Sequence, residues 1–246
     1  MRGILTYHSI DASGSPISLT MESFRSHIRF LVARSVKVVS LSELMPGDNA
    51  EDALALTFDD GFANFATTAL PLLREHALPA TVFIVSDRVG MTNEWDGTAA
   101  RGIPSLELMT WAQINVAAAA GVEIGAHTRH HPDLTKVPDG ELEDEIAGCA
   151  DRIRAETGVR PGSFAYPYGA VNDRVARAAR ARFERSCTTD FRPLEADDDR
   201  ALWPRLDGWY FREPGQLEQW GTPSFRRRVW LRAQGRRVRR LITAGP

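Results

Sequence analysis

The chain has 246 residues, 43% of them hydrophobic and 25% charged, which is the balance of a globular protein with room for one large α/β domain. No run approaches the eighteen apolar residues of a membrane-spanning helix. The two cysteines, Cys149 and Cys187, stand in no ligand spacing and read as buried free thiols rather than a disulfide framework. The net charge of −2 conceals a split: from Pro223 onward there are eight arginines and no acids, leaving 22 basic and 32 acidic residues elsewhere.

In chain order, apolar strand-like runs fall at residues 3–7, 36–40, 54–58, 80–85, 122–125, 163–166 and 185–189. Helical patterns lie between them at 21–34, 62–76, 107–120, 140–157 and 172–182. In the fourth helix Leu142, Ile146, Cys149 and Ile153 form one stripe, and Gly158 supplies a stop. Strands alternating with helices predict a parallel sheet with βαβ connections, and about seven such units fit a closed or nearly closed (β/α) barrel better than an open sheet. No signal-peptide core precedes the first strand, so cytoplasmic localisation is expected.

The residues with chemistry fall just after these runs: His8, Asp59 and Asp60, His127, and Tyr168. In a barrel, the loops after the strand ends build the site. Paired carboxylates at Asp59–Asp60 allow one to bind a cation while the other stays free as a base, although acids after strands also cap helices. The spacing of His127 and His131 predicts one helical turn with both imidazoles on one face, leaving His130 pointing elsewhere. Two histidines with one aspartate make an open three-ligand site for Zn²⁺ or another divalent metal, and non-haem Fe(II) suits the same ligands. The segment Phe164-Ala165-Tyr166-Pro167-Tyr168-Gly169 ends in a turn that could present a backbone N–H to an oxyanion. The loop 86–105, carrying Asn93, Trp95, Asp96 and Arg101, is long enough to suggest a purpose.

Thr57-Phe58-Asp59-Asp60-Gly61, His127-Thr128 with His131-Pro132, and the 164–169 segment together resemble the first three motifs of the polysaccharide deacetylase family, the NodB-like carbohydrate esterases. The motifs occur in that family's order over roughly residues 1–210, and as a set they are highly specific. The resemblance implies a distorted (β/α)7 barrel of the NodB-homology type and removal of N-acetyl groups from an amino sugar in a polysaccharide, oligosaccharide or lipid-linked glycan. It assigns Asp60, His127 and His131 to one divalent metal, Zn²⁺ first with Co²⁺, Ni²⁺, Mn²⁺ or Fe²⁺ as alternatives. Asp59 becomes the general base, and the Tyr168 N–H a donor to the oxyanion.

Two departures stand out. The third motif often begins with an arginine that orients the catalytic aspartate, and Ala165 holds that place, so Arg205 is the candidate replacement. The family's late catalytic histidine is absent, because no histidine follows His131. Tyr7-His8 resembles the N-terminal Tyr-His motif of the poly-N-acetylglucosamine deacetylase subgroup, which makes His8 the expected general acid. Trp95, Asp96, Tyr166 and Trp209 are the expected substrate contacts, with Trp203 and Tyr210 as further aromatic residues. The expected domains are a catalytic barrel over 1–215 and a helical Arg-rich tail over 216–246. Trp230 and the aliphatic residues among its arginines suit peripheral contact with an anionic membrane, and so a place at its inner face; nucleic acid or a plain solvated helix are the other readings of such a run. Two competitors remain: hydrolysis of another non-peptide C–N bond, and a deacetylase-like module that binds carbohydrate without turnover.

Overall fold

The computed structural model describes residues 1–33, 36–44 and 52–243. Arg34, the last residue of the first expected helix, and 244–246 at the end of the tail lie outside them. One sheet is built from β1 (Arg2–Tyr7), β4 (Lys37–Val39), β5 (Ala53–Phe58), β6 (Thr81–Ile84), β7 (Glu123–Ala126), β8 (Ser163–Ala165), β9 (Arg185–Cys187) and β10 (Leu206–Asp207). A small second sheet pairs β2 (Ser9–Ile10) with β3 (Ser18–Leu19). The helices are α1 (Met21–Ala33), α2 (Leu70–Glu75), α3 (Trp111–Ala119), α4 (Asp139–Glu143), α5 (Cys149–Thr157), α6 (Asp173–Arg180) and α7 (Pro223–Thr243).

Every ladder in the main sheet is parallel, in the order β10-β1-β5-β6-β7-β8-β9. On one edge β5 pairs with β1 along its whole length. The other edge is divided: residues 53–55 take β4, and Thr57 and Phe58 take β6. β4 is therefore a wedge at the base, and seven strands reach the upper rim. The sheet curls until β9 meets the segment before β10, where the Thr188 N–H donates to the Trp203 carbonyl at 2.8 Å and the Trp203 N–H to that of Ser186 at 2.9 Å. The expected nearly closed barrel is the observed architecture, its irregular seam being the distortion.

Strand alternation sorts the core into two layers. Leu5, Leu54, Leu56, Val82, Ile124 and Phe164 pack outward against the helices. Ile4, Ala53, Ala55, Phe83, Ala165 and Trp203 fill the interior. The stripe expected on the fourth helix is fully used: Leu142, Ile146, Cys149 and Ile153 are all buried, and Gly158 ends α5 at φ 75°. That helix and the one over 62–76 each contain a wider π turn, at Asp144–Gly148 and Phe65–Ala69, so neither is one uniform α-helix. α3 begins at Trp111, not 107, because Thr110 and Gln113 form a capping box.

The segment expected as a separate tail is partly core. Leu217, Trp220, Phe225 and Val229 are buried in the outer layer, and Phe225 stacks on Phe211 at 5.2 Å between ring centres. The start of α7 thus completes the barrel wall. No helix among the described residues is long and apolar enough to cross a membrane.

Candidate active site

The inward register of the strands continues past their ends into the site. Ile4 and Thr6 lead to His8, Ala55 and Thr57 lead to Asp59, and Gly125 leads to His127. Arg205 comes from the closing seam just before β10. It is almost fully buried and forms a double ion pair with Asp59: Nη1 donates to Oδ1 at 2.6 Å and Nη2 to Oδ2 at 2.7 Å. Nη1 also donates to Thr6 Oγ1 at 2.7 Å, and Nε to the Thr188 carbonyl at 3.0 Å. Burial would raise the Asp59 carboxyl, but Arg205 and then His127 hold it below its ordinary range. His8 lies across the mouth, its Nε2 3.8 Å from Asp59 Oδ2.

Beside this pair, Asp60 Oδ1 sits 3.4 Å from His127 Nε2 and 3.3 Å from His131 Nε2. The His127 Nδ1–H donates to the Ala165 carbonyl at 2.7 Å, which turns the Nε2 lone pair toward Asp60. Asp60 Oδ1 is buried without a hydrogen-bond partner. Two imidazoles and a carboxylate oxygen converging in a buried site need a positive charge among them, and this donor set fits a divalent cation. Despite burial, contact with both histidines holds Asp60 well below the usual carboxylate range.

The expected helical turn under the two histidines is not formed. Residues 127–131 are a loop in which Thr128 and His131 take φ of 68° and 67°. The imidazoles converge because the chain folds back, with the His131 N–H donating to Thr128 Oγ1 at 2.9 Å. Asp60 and Tyr168 also have positive φ, so four of the five such non-glycine residues among the described ones surround this site. Backbone held in that region is costly and gathers where function demands it.

His8, Asp59, Asp60, His127 and His131 line a cavity of about 140 Å³ at the barrel mouth, together with Asn93, Trp95, Tyr166, Tyr168 and Thr189. Trp95 comes from the long loop and stacks on His131 at 4.4 Å. Asn93 clamps the loop base, its amide donating to the Pro104 carbonyl and accepting from the Leu106 N–H. Of the other expected substrate contacts, one borders this cavity and two lie away from it. Tyr166 belongs to the cavity lining, while its ring is turned outward by strand alternation and buried, with its hydroxyl donating to the Ala201 carbonyl. Asp96 is exposed and Trp209 packs against Tyr210 under Arg212, and neither lines the cavity. Trp203 is likewise a core residue.

Two contributors escaped sequence reasoning. Asp207 continues the inward register from Arg205; burial raises its carboxyl, and His8 is the first group to oppose that rise. Glu145 clamps the histidine loop by accepting the N–H groups of Arg129 at 3.0 Å and His130 at 3.1 Å. The exposed His130 side chain binds Glu145 and takes no place in the cavity. The alternation of β10 could have flagged Asp207; no local signal marks Glu145.

Residues 47–183 match the family model described as polysaccharide deacetylase. The chain belongs to the polysaccharide deacetylase family. It is 23% identical to the poly-β-1,6-N-acetyl-D-glucosamine N-deacetylase of Staphylococcus epidermidis over 203 residues, covering 77% of this chain and 67% of that protein. It is 32% identical to the peptidoglycan-N-acetylglucosamine deacetylase PgdA of Listeria monocytogenes over 143 residues, or 58% of this chain and 26% of that one. Its fold resembles IcaB from Ammonifex degensii, with a TM-score of 0.71 at 21% identity over 89% of this chain and 95% of that one.

Proposed function

We propose that this protein is a metal-dependent N-deacetylase acting on an N-acetylated amino sugar in a polysaccharide, oligosaccharide or lipid-linked glycan. One observation carries the reading: the Asp59–Arg205 pair stands beside the Asp60, His127 and His131 cluster, with His8 across the same cavity. The named activities of the staphylococcal and listerial relatives support the same chemistry.

A divalent cation held by Asp60, His127 and His131, with Zn²⁺ our first choice, would polarise the acyl oxygen and ease deprotonation of water. Asp59, held ionised by Arg205, takes a proton from the attacking water. The backbone N–H of Tyr168 donates to the tetrahedral oxyanion. Protonated His8 then donates to the departing amine, since an amine anion does not leave unaided, and acetate and the free amino sugar result. The ring of Trp95 offers a face for the sugar beside His131.

The outer face of α7 carries exposed Arg226, Arg227, Trp230 and Leu231, the chemistry of peripheral contact with anionic lipid. Two unpaired buried thiols suit a reducing compartment, and so the inner face of a membrane. Acetate release from N-acetylated glucosamine oligomers, glycolipids, formamides and ureides tests the activity and separates sugar amides from other C–N bonds. Release from none of the acetylated sugars would overturn the reading.

A further inference from the structure

The inner face of α7 reaches the catalytic mouth. Arg236, half-buried, donates from Nη2 to the Thr189 carbonyl at 3.2 Å and from Nη1 to the Tyr210 hydroxyl at 3.2 Å. Its guanidinium also lies over the Phe191 and Tyr210 rings, at 5.6 and 5.5 Å from their centres. Thr189 belongs to the cavity wall. Its hydroxyl donates to the Tyr168 carbonyl at 3.4 Å, and a Cβ placed on Gly169 would lie only 2.1 Å from that hydroxyl. Thr189 therefore stands directly behind the Tyr168–Gly169 turn, with no gap between them.

That turn needs support. Tyr168 holds φ of 59°, a conformation a bulky residue keeps only when its surroundings enforce it. Within the turn the Gly169 N–H donates to the Tyr166 carbonyl and the Ala170 N–H to that of Pro167, and neither bond uses the Tyr168 N–H. Thr189 lies two residues beyond β9, between Thr188, whose N–H donates to the Trp203 carbonyl at 2.8 Å, and Asp190, whose carbonyl accepts the Arg205 N–H at 2.9 Å, and α7 adds a donor to the Thr189 carbonyl from outside the barrel.

We propose that Arg236 is a positioning residue for deacetylation: it holds Thr189 against the Tyr168–Gly169 turn and so aims the Tyr168 N–H at the oxyanion. The proposal rests on the deacetylase reading above. It gives the inner face of the arginine-rich helix a role in rate, separate from any contact its outer face makes.

Arg232 supplies the control. It shares the Tyr210 ring with Arg236, at 4.3 Å, whereas the donor to the Thr189 carbonyl is Arg236. If Arg236 merely packed, losing either arginine would act alike. The test uses full-length, metal-loaded wild type, Arg236→Met, Arg236→Lys and Arg232→Met. Amide hydrogen exchange over residues 166–170 is measured for each, with kcat and KM for acetate release from an N-acetylglucosamine pentamer. Arg236→Met is expected to lose protection across 166–170 and about 10- to 10²-fold in kcat, with KM nearly unchanged, since small misplacement of a reacting group costs rate rather than binding. Arg236→Lys should recover part of both, and Arg232→Met should match wild type. Unchanged exchange in Arg236→Met, an equal change in Arg232→Met, or faster exchange with undiminished kcat would each overturn the proposal. An inactive wild type would instead count against the deacetylase reading, and the exchange comparison would still decide whether Arg236 holds the turn.

Discussion

At the scale of single residues, the site is a consequence of strand parity and a few enforced backbone turns. His8, Asp59 and His127 point inward because they extend the inward positions of β1, β5 and β7, whereas the Tyr166 ring follows an outward position into the outer core layer. That parity was legible in the sequence, and applied to the 164–169 segment it turns the Tyr166 ring outward. What could not be read was the left-handed backbone at Asp60, Thr128 and His131, because no glycine marks those positions; the four-residue spacing of the histidines therefore suggested a helix that does not form. The Asp59–Arg205 pair leads to two expectations. Arg205→Met leaves Asp59 buried without its partner, which should cost about 3–5 kcal/mol of stability and at least about 10²-fold in kcat. Arg205→Lys should not restore it, since one ammonium cannot reproduce the double bond; melting curves and steady-state rates check both. His8→Ala should lower kcat by about 10²–10⁴-fold, the usual contribution of a general acid, while metal content stays at the wild-type level.

At the scale of elements, α7 departs most from the sequence reading. Its charge suggested a free appendage, because eight arginines dominate a composition in which Phe225 and Val229 are easily overlooked. Those two residues seal the barrel wall, so Phe225→Ala is expected to destabilise the fold by about 3–5 kcal/mol, measurable by urea unfolding. The outer face is expected to behave independently. Arg226→Glu with Arg227→Glu, or Trp230→Ala with Leu231→Ala, should reduce sedimentation with phosphatidylglycerol vesicles and leave acetate release from a soluble oligomer unchanged. Undiminished sedimentation of both variants would remove the membrane assignment. The long 86–105 loop illustrates the opposite outcome: its length was visible and suggested a use, and the structure places Trp95 on His131.

At the scale of the whole molecule, alternating strands and helices were enough to expect a parallel barrel, since continuous apolar strands require cover on both faces. The wedge of β4 and the irregular seam were not legible, because β10 is two residues long and the seam depends on backbone pairing between 186–188 and 200–203. Burial pushes the Cys149 and Cys187 thiols up to about 12. A thiol kept neutral in the folded state stabilises it fully below the ordinary value near 9 and loses that contribution as pH rises toward 12. The melting temperature should therefore fall across that alkaline window, less steeply in Cys149→Ala with Cys187→Ala, and neither thiol should react with a labelling reagent near neutral pH until the protein unfolds. The central claim is that Asp60, His127 and His131 hold a metal while Asp59 does the chemistry. Metal content and acetate release measured together on one preparation test it most directly. The account predicts release by the wild type that a chelator abolishes and a divalent cation restores, and an Asp59→Asn variant that keeps the metal and releases no acetate. Wild-type release indifferent to chelation, or an active Asp59→Asn variant, would contradict it.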